Sequence, residues 1–218
     1  TVTLNPIADT NDTTPTISGT GEPGSTITIS DGSTPLGTVT VQPDGTWTFT
    51  PTTPLSEGPH TINVSAQDPY GNTNTTSGTP AHDSEGPFVI DTSATATVDI
   101  KDDSNHDDMI SSVDNMTQTK LSGTIEAGGS ITSLTVKDAV GNTITIPNTA
   151  ITLNPDGTWS AIVDVTSLKD GTLTTTLSAQ DALGNSAPVV SDTIEKDTVT
   201  TVTLNPIADT NDTTPTIS

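Results

Sequence analysis

Residues 157–166 read Gly-Thr-Trp-Ser-Ala-Ile-Val-Asp-Val-Thr. Trp159, Ala161, Val163 and Val165 occupy alternate positions, and Ser160 and Asp164 fall between them. Successive side chains of a strand point to opposite faces, so this period of two places one face of the segment in a core. The turn signal Pro155-Asp156-Gly157 precedes it. The same alternation recurs at Val39 and Val41, at Trp47 and Phe49, at Ile62, Val64 and Ala66, at Ile144 and Ile146, and at Leu173, Leu177 and Ala179. Helical periodicity is missing from every long window, and Pro and Gly break the chain roughly every ten residues, the spacing of a β-sandwich. The fold class that follows is all-β, with antiparallel sheets.

The chain repeats itself on two scales. Thr201–Ser218 is identical to Thr1–Ser18, which makes the protein one complete repeat followed by the start of another. Within the repeat, Gly19-Thr20-Gly21-Glu22-Pro23-Gly24 returns as Gly123-Thr124-Ile125-Glu126-Ala127-Gly128. Pro43–Trp47 returns as Pro155–Trp159, and Ser65–Asp68 as Ser178–Asp181, in the same order. Two homologous domains fit that pattern, at 1–91 and 92–197, with 198–218 as the first strands of a third copy. In the first domain the expected strands are A near Thr1–Leu4, B near Thr16–Gly19, C near Ser25–Ser30, C′ or D near Gly37–Val41, E near Thr46–Thr50, F near His60–Ala66 and G near Phe88–Ile90. The second domain repeats them from Thr95 to Ile194. Seven short strands in about 100 residues suit two tandem Ig-like antiparallel sandwiches placed end to end.

Five lysines and no arginine stand against 27 acidic residues, a formal net charge of -22. A polyanion is repelled by that balance, which excludes nucleic acid and disfavours an anionic membrane surface. No apolar run approaches the ~20 residues that a spanning helix needs. Without cysteine, neither disulfides nor thiolate metal sites contribute.

Ig-type topology sends the BC, DE and FG loops toward the preceding domain and the AB, CD and EF loops toward the following one. Glu126, Asp156 and Asp181 therefore share the leading pole of the second domain, and the strand that ends the first domain delivers Asp91 to them. We expect a calcium ion at this joint held by Asp91 and Asp181, with Glu126 or Asp156. Asp197 reaches the next joint. A denser group follows Asp99: Asp102-Asp103-Ser104-Asn105-His106-Asp107-Asp108. Counted from Asp103, oxygen-bearing side chains fall at positions 1, 3, 5 and 12 (Asp103, Asn105, Asp107 and Asp114), the rhythm of a calcium loop. Asp108 stands where an EF-hand has Gly, Asp114 where it has Glu, and no helix flanks the run. The expectation is thus a calcium-binding AB loop on a β domain; the alternative is a solvated acidic loop. Hard oxygen donors suit Ca²⁺, the one cofactor expected, and nothing offers the nitrogen or sulfur cluster of a zinc site.

The remaining motifs read as structure. Asp68–Asn72, Asp138–Asn142 and Asp181–Asn185 share an Asp-x-x-Gly-Asn pattern suited to tight turns. Trp47 and Trp159 are expected in the core. His60, His82 and His106 have no catalytic context and are expected at the surface or in turns, so no enzyme is expected. Asn74–Pro87 is longer than its counterpart in the second domain and reads as an FG insertion. A glycan- or protein-binding module using this loop, residues 74–87, is the competing function.

The strings TNDTTPTISGTGEPGSTITI, PDGTW and AQDPYGN, with an Asp-Thr dipeptide at the joint, resemble the bacterial Ig-like tandem repeats of giant, calcium-dependent RTX-type surface adhesins. The resemblance covers essentially the whole chain. It implies an extender or stalk that projects a ligand-binding tip from the cell, with calcium at or near the joints and an extracellular location at the bacterial surface in biofilm settings. The implied partners are neighbouring repeats of the same chain, with no small-molecule substrate and a monomeric state.

Overall fold

The computed structural model describes residues 2–77, 87–101 and 109–199. The first part of the chain forms β1 (Ile17–Thr20), β2 (Thr26–Asp31), β3 (Thr34–Thr40), β4 (Thr46–Phe49), β5 (Gly58–His60), β6 (Ile62–Gln67), β7 (Thr73–Ser77) and β8 (Phe88–Ile90). The second part forms β9 (Ala96–Lys101), β10 (Met109–Ser111), β11 (Thr119–Ile125), β12 (Ser130–Lys137), β13 (Thr143–Thr145), β14 (Ile151–Leu153), β15 (Thr158–Val163), β16 (Gly171–Gln180) and β17 (Val190–Asp197). No described helix is long and apolar enough to cross a membrane.

In the second part, one sheet runs β14-β15-β11-β9 and the other β10-β17-β16-β12-β13. These are D-E-B-A and A′-G-F-C-C′, the two layers of an Ig-like sandwich. The first part repeats the plan with β1-β4, β3-β2-β6-β7 and β5-β8. Because β3 pairs with β2 (Thr26↔Thr40 to Asp31↔Thr34), it is a C′ strand. Strand A of this half lies against β1, where the Thr3 and Asn5 N–H groups donate to Thr20 O at 2.9 Å and Ser18 O at 2.8 Å.

The alternating residues fill two separate cores. Trp47, Phe88, Ile17, Ile27, Ile62 and Ile90 pack in the first, and Trp159, Leu121, Leu134, Val165, Leu173 and Leu177 in the second. Both tryptophans are core residues, 1% and 2% exposed. Each fully buried aliphatic or aromatic side chain contributes about 1.5–3 kcal/mol, so these small sets carry most of the burial free energy. Close packing of strand A on strand B depends on glycine: a Cβ on Gly19 or Gly123 would lie 2.0 Å from the Thr3 or Thr97 carbonyl oxygen.

Three features differ from the sequence reading. The Asp102–Asp108 run lies between β9 on one sheet and β10 on the other, where strand A changes sheets, and not between strands A and B. Three residues of A′ are taken up by parallel pairing with β17, from Met109↔Glu195 to Ser111↔Asp197, before the AB turn begins. A matching parallel bridge joins Thr10 to Ile90 in the first half, so the sandwiches are not wholly antiparallel. The long segment of the first half is not an FG loop either. The FG connection is the tight turn at Asp68–Asn72, β7 pairs at once with β6 from Gln67↔Thr73 to Asn63↔Ser77, and β8 pairs with β5. In sequence the insertion falls between β7 and β8; residues 78–86, with His82, Asp83 and Glu85, lie outside the described residues.

His60 is the third difference. It is 6% exposed and stacks near Phe88, with ring centroids 5.6 Å apart. Its Nδ1 is 2.7 Å from Asp31 Oδ2 and its Nε2 2.7 Å from the Ser56 carbonyl oxygen. Two acceptors, one at the end of β2 and one in the loop before β5, make burial of this polar ring tolerable, which spacing along the chain does not reveal. His106 and the repeat copy at 201–218 fall outside the described residues.

Candidate metal centre

Asp91 follows β8 directly. Its N–H donates to the Thr10 carbonyl at 3.1 Å and its Oδ1 accepts the Ser93 N–H at 3.1 Å, which fixes the start of the linker. Glu126 opens the BC turn, closed by the Gly129 N–H donating to Glu126 O at 3.0 Å. The Thr95 hydroxyl donates to Glu126 Oε1 at 3.1 Å. Asp181 opens the FG turn, and its Oδ1 accepts the Leu183 and Asn185 N–H groups, each at 2.8 Å.

Carboxylate oxygens of Asp91, Glu126 and Asp181 all lie within 4.8 Å of one another, the one such grouping among the described residues. Of three side-chain amide hydrogen bonds here, one braces the FG turn and two cross the joint. Asn185 Nδ2 donates to Asp181 Oδ2 at 2.6 Å and to the Asp91 carbonyl at 2.7 Å, and Asn11 Nδ2 donates to the Leu183 carbonyl at 3.1 Å. Neither asparagine stood out in the sequence as a joint residue. Loop polarity brings Asp181 to the joint, but it does not reveal that Asn185 of the same turn bonds the Asp91 backbone.

The other expected ligands are elsewhere. Asp156 Oδ1 is used by the Thr158 N–H at 3.0 Å and hydroxyl at 2.7 Å, within the DE turn and apart from the three carboxylates. Asp99 pairs with Lys101 Nζ at 3.0 Å. Asp114, 7% exposed, accepts the Ser111 N–H at 2.8 Å and hydroxyl at 2.7 Å in the AB turn, beyond β10 from the acidic run. Asp197 accepts the Val199 N–H at 3.3 Å at the opposite end of the sandwich. Asp102, Asp103, Asn105, Asp107 and Asp108 lie outside the described residues.

Burial alone would push the Asp181 carboxyl up, but the Asn185 side chain and the N–H groups of Asn185, Leu183 and Gly184 outweigh it and hold the group below its usual range. Asp181 is therefore ionised at neutral pH. Two unit charges about 4 Å apart repel by about 1 kcal/mol in water and about 4 at an effective dielectric of 20, so three clustered carboxylates favour a cation. The donor set consists of hard oxygens only, which fits Ca²⁺ and not the nitrogen and sulfur preference of Zn²⁺. Each oxygen that accepts one N–H retains a lone pair for a further partner.

Residues 8–92 match the family described as Bacterial Ig-like domain. Among curated proteins none matches. Among solved structures the chain is similar to a tetra-tandem repeat in the extending region of a large adhesion protein, at 29% identity and a TM-score of 0.42, over 90% of this chain and 49% of that one. It is also similar to fibronectin(III)-like modules of Clostridium thermocellum CbhA, at 15% identity and a TM-score of 0.35, over 90% of this chain and 95% of that one. A third likeness is to the BSP domain of a biofilm associated protein, at 22% identity and a TM-score of 0.28, over 91% of this chain and 30% of that one. The chain spans about half the length of the adhesion-protein repeat structure.

Proposed function

We propose that the chain is an extender segment of a bacterial cell-surface adhesin, a non-enzymatic stalk stiffened by Ca²⁺ at its joints. The observation that carries this reading is the convergence of Asp91 from one sandwich with Glu126 and Asp181 from the next. Asp91, Glu126 and Asp181 would hold the ion. Calcium would supply charge neutralisation across the joint. The residues themselves set the approach of the two bodies through Asn185 and Asn11. Support also comes from the identical return of Thr1–Ser18 at Thr201–Ser218, since extension needs copies of a unit whereas recognition is usually confined to a unique tip. By the same repeat, Asp197 would meet Glu22 and Asp68 of a following copy. The acidic run Asp102–Asp108, between β9 and β10 in sequence, belongs to this reading as a second ion site.

Calcium titration by calorimetry tests it. The expected result is saturable binding, with a joint affinity of about 0.1–1 mM as in extracellular modules, and a melting temperature that rises with calcium. Asp91→Ala should weaken binding and broaden the interdomain angle in solution scattering. A chelator-treated sample as elongated and as heat-resistant as the calcium-loaded one would refute the stalk mechanism.

A further inference from the structure

Each sandwich also holds its outgoing linker by a second device that needs no metal ion. Glu57 precedes β5, and its two carboxylate oxygens accept the Ser93 hydroxyl at 2.8 Å and the Thr92 hydroxyl at 3.1 Å. Thr92 and Ser93 are the residues that follow Asp91. In the second sandwich Asp170 precedes β16 in the same way. Its Oδ1 and Oδ2 accept the Thr198 hydroxyl at 2.8 and 3.0 Å, and Oδ2 also takes the Thr198 N–H at 2.9 Å.

The two sites correspond by register. Gly58 pairs with Ile90, just before Asp91-Thr92, and Gly171 pairs with Lys196, just before Asp197-Thr198. The glycine after each acid is left-handed, at φ +112° and +116°, a conformation that other residues adopt with strain. That shared backbone turn presents an acid to the linker in both halves, although the acid is Glu in one and Asp in the other. Bonds from Thr198 also hold the Asp170 carboxyl below its usual range.

We propose that Glu57 and Asp170 are positioning residues that fix the direction in which the chain leaves each sandwich, and that Glu57 thereby sets how Glu126 and Asp181 of the following sandwich approach Asp91. Glu57 is exposed and is not among the clustered carboxylates, so its effect passes through Thr92 and Ser93. The ion-related half of this inference rests on the calcium reading above; the linker half does not. Asp91 keeps its own tie to Thr10, so the clamp acts on the two residues after it, where the direction of exit is set.

The chain has no cysteine, so spin labels at Ser33→Cys and Val140→Cys, one on each sandwich, report a single interdomain distance. In chelator, Glu57→Ala is expected to broaden the distance distribution, and the double variant Thr92→Val/Ser93→Ala to broaden it equally. Glu57→Gln, which keeps an acceptor for Ser93, should restore much of the narrow distribution. Joint calcium affinity, measured by calorimetry on the same chains, should fall about fivefold or more in Glu57→Ala, within the usual range of coupling between sites. A merely structural role would move the melting temperature alone. Glu57→Ala and Thr92→Val/Ser93→Ala distributions as narrow as that of the unmodified chain overturn the clamp. Calcium failing to bind even the unmodified chain would count against the joint ion while leaving the distance measurement to decide the clamp.

Discussion

The two sandwiches share a plan and differ in what they bury and what they show. All five lysines, Lys101, Lys120, Lys137, Lys169 and Lys196, lie beyond Asp91; the first 91 residues contain neither lysine nor arginine. Where Thr16 and Thr50 face each other in the first half, with hydroxyls 3.2 Å apart, the matching positions of the second hold Lys120 and Ile162. His60 in the first core corresponds to Leu173 in the second. In sequence the first half inserts residues between β7 and β8 and the second between β9 and β10. At the poles the pattern is retained: Glu22 answers to Glu126, Asp68 to Asp181, Asp91 to Asp197 and Glu57 to Asp170. Core and edge positions tolerate any apolar filling or side decoration that keeps the layers packed. Pole positions have to meet a neighbour, and the chemistry there is the same in both halves.

If the halves are separate folding units that touch at a joint, damage to one core should stay in that half. Leu177, fully buried in the second core, is the strongest probe. Leu177→Ala should cost about 2–5 kcal/mol, or roughly 10 °C or more for a domain of about 100 residues. Scanning calorimetry in chelator should show the second sandwich's transition falling alone. A common shift of both transitions would break the comparison, because it would make the molecule one cooperative body.

A smaller effect separates the two tryptophans. Trp47 Nε1 donates to the Thr20 carbonyl at 3.2 Å, whereas Trp159 Nε1 is buried without a partner among the described residues. Replacement by Phe removes similar volume at both sites, so the difference isolates the hydrogen bond. Thr20 O still accepts the Thr3 N–H in Trp47→Phe, which spares it from being orphaned. Trp47→Phe should therefore be more destabilising than Trp159→Phe by about 1 kcal/mol, since the second change also removes an unsatisfied donor. Denaturant midpoints of the two variants check this, and equal losses would show that the two indole environments are equivalent.

Period-two alternation located the strands, because burial of one sheet face is a local property of the sequence. It placed Trp47, Trp159, Ile62, Val64, Leu173 and Leu177 in cores where the structure has them. The joint was legible in part. Strand order and loop polarity brought Asp91, Glu126 and Asp181 together, but could not distinguish Asp156, whose carboxylate is occupied by its own turn. The strand A crossover was hidden for a physical reason: β10 is three residues long and pairs in parallel with a strand more than eighty residues away, so it leaves no local pattern. The burial of His60 likewise depends on Asp31 and Ser56, which alternation cannot bring into view.

Acid provides the finest test of the contrast. Asp138 uses its Oδ1 for the Val140 and Asn142 N–H groups and its Oδ2 for the Asn142 amide and the Lys169 N–H at 3.0 Å, which ties the C–C′ turn to the loop before β16. Asp68 makes the same kind of turn in the first half, but in the FG connection between β6 and β7, where it answers to Asp181 and not to Asp138. Burial raises the Asp138 carboxyl, but the bonds from Lys169 and Asn142 prevail and hold it at about 2, against an ordinary 3.8. A depressed folded value means that the ionised form stabilises the fold above about pH 4, and that this contribution is lost as pH falls from about 4 through 2. Among the described residues, Asp156, Asp164, Asp170 and Asp181 are lowered in the same half, against Asp44 and Asp68 in the first. Acidification should thus lower the second sandwich's transition more steeply than the first's. Asp138→Asn should lower the second transition at pH 7, converge with the unmodified chain near pH 2, and leave the first transition in place. Parallel slopes for the variant and the unmodified chain would assign the acid response to the other carboxylates and remove Asp138 as the brace between those loops.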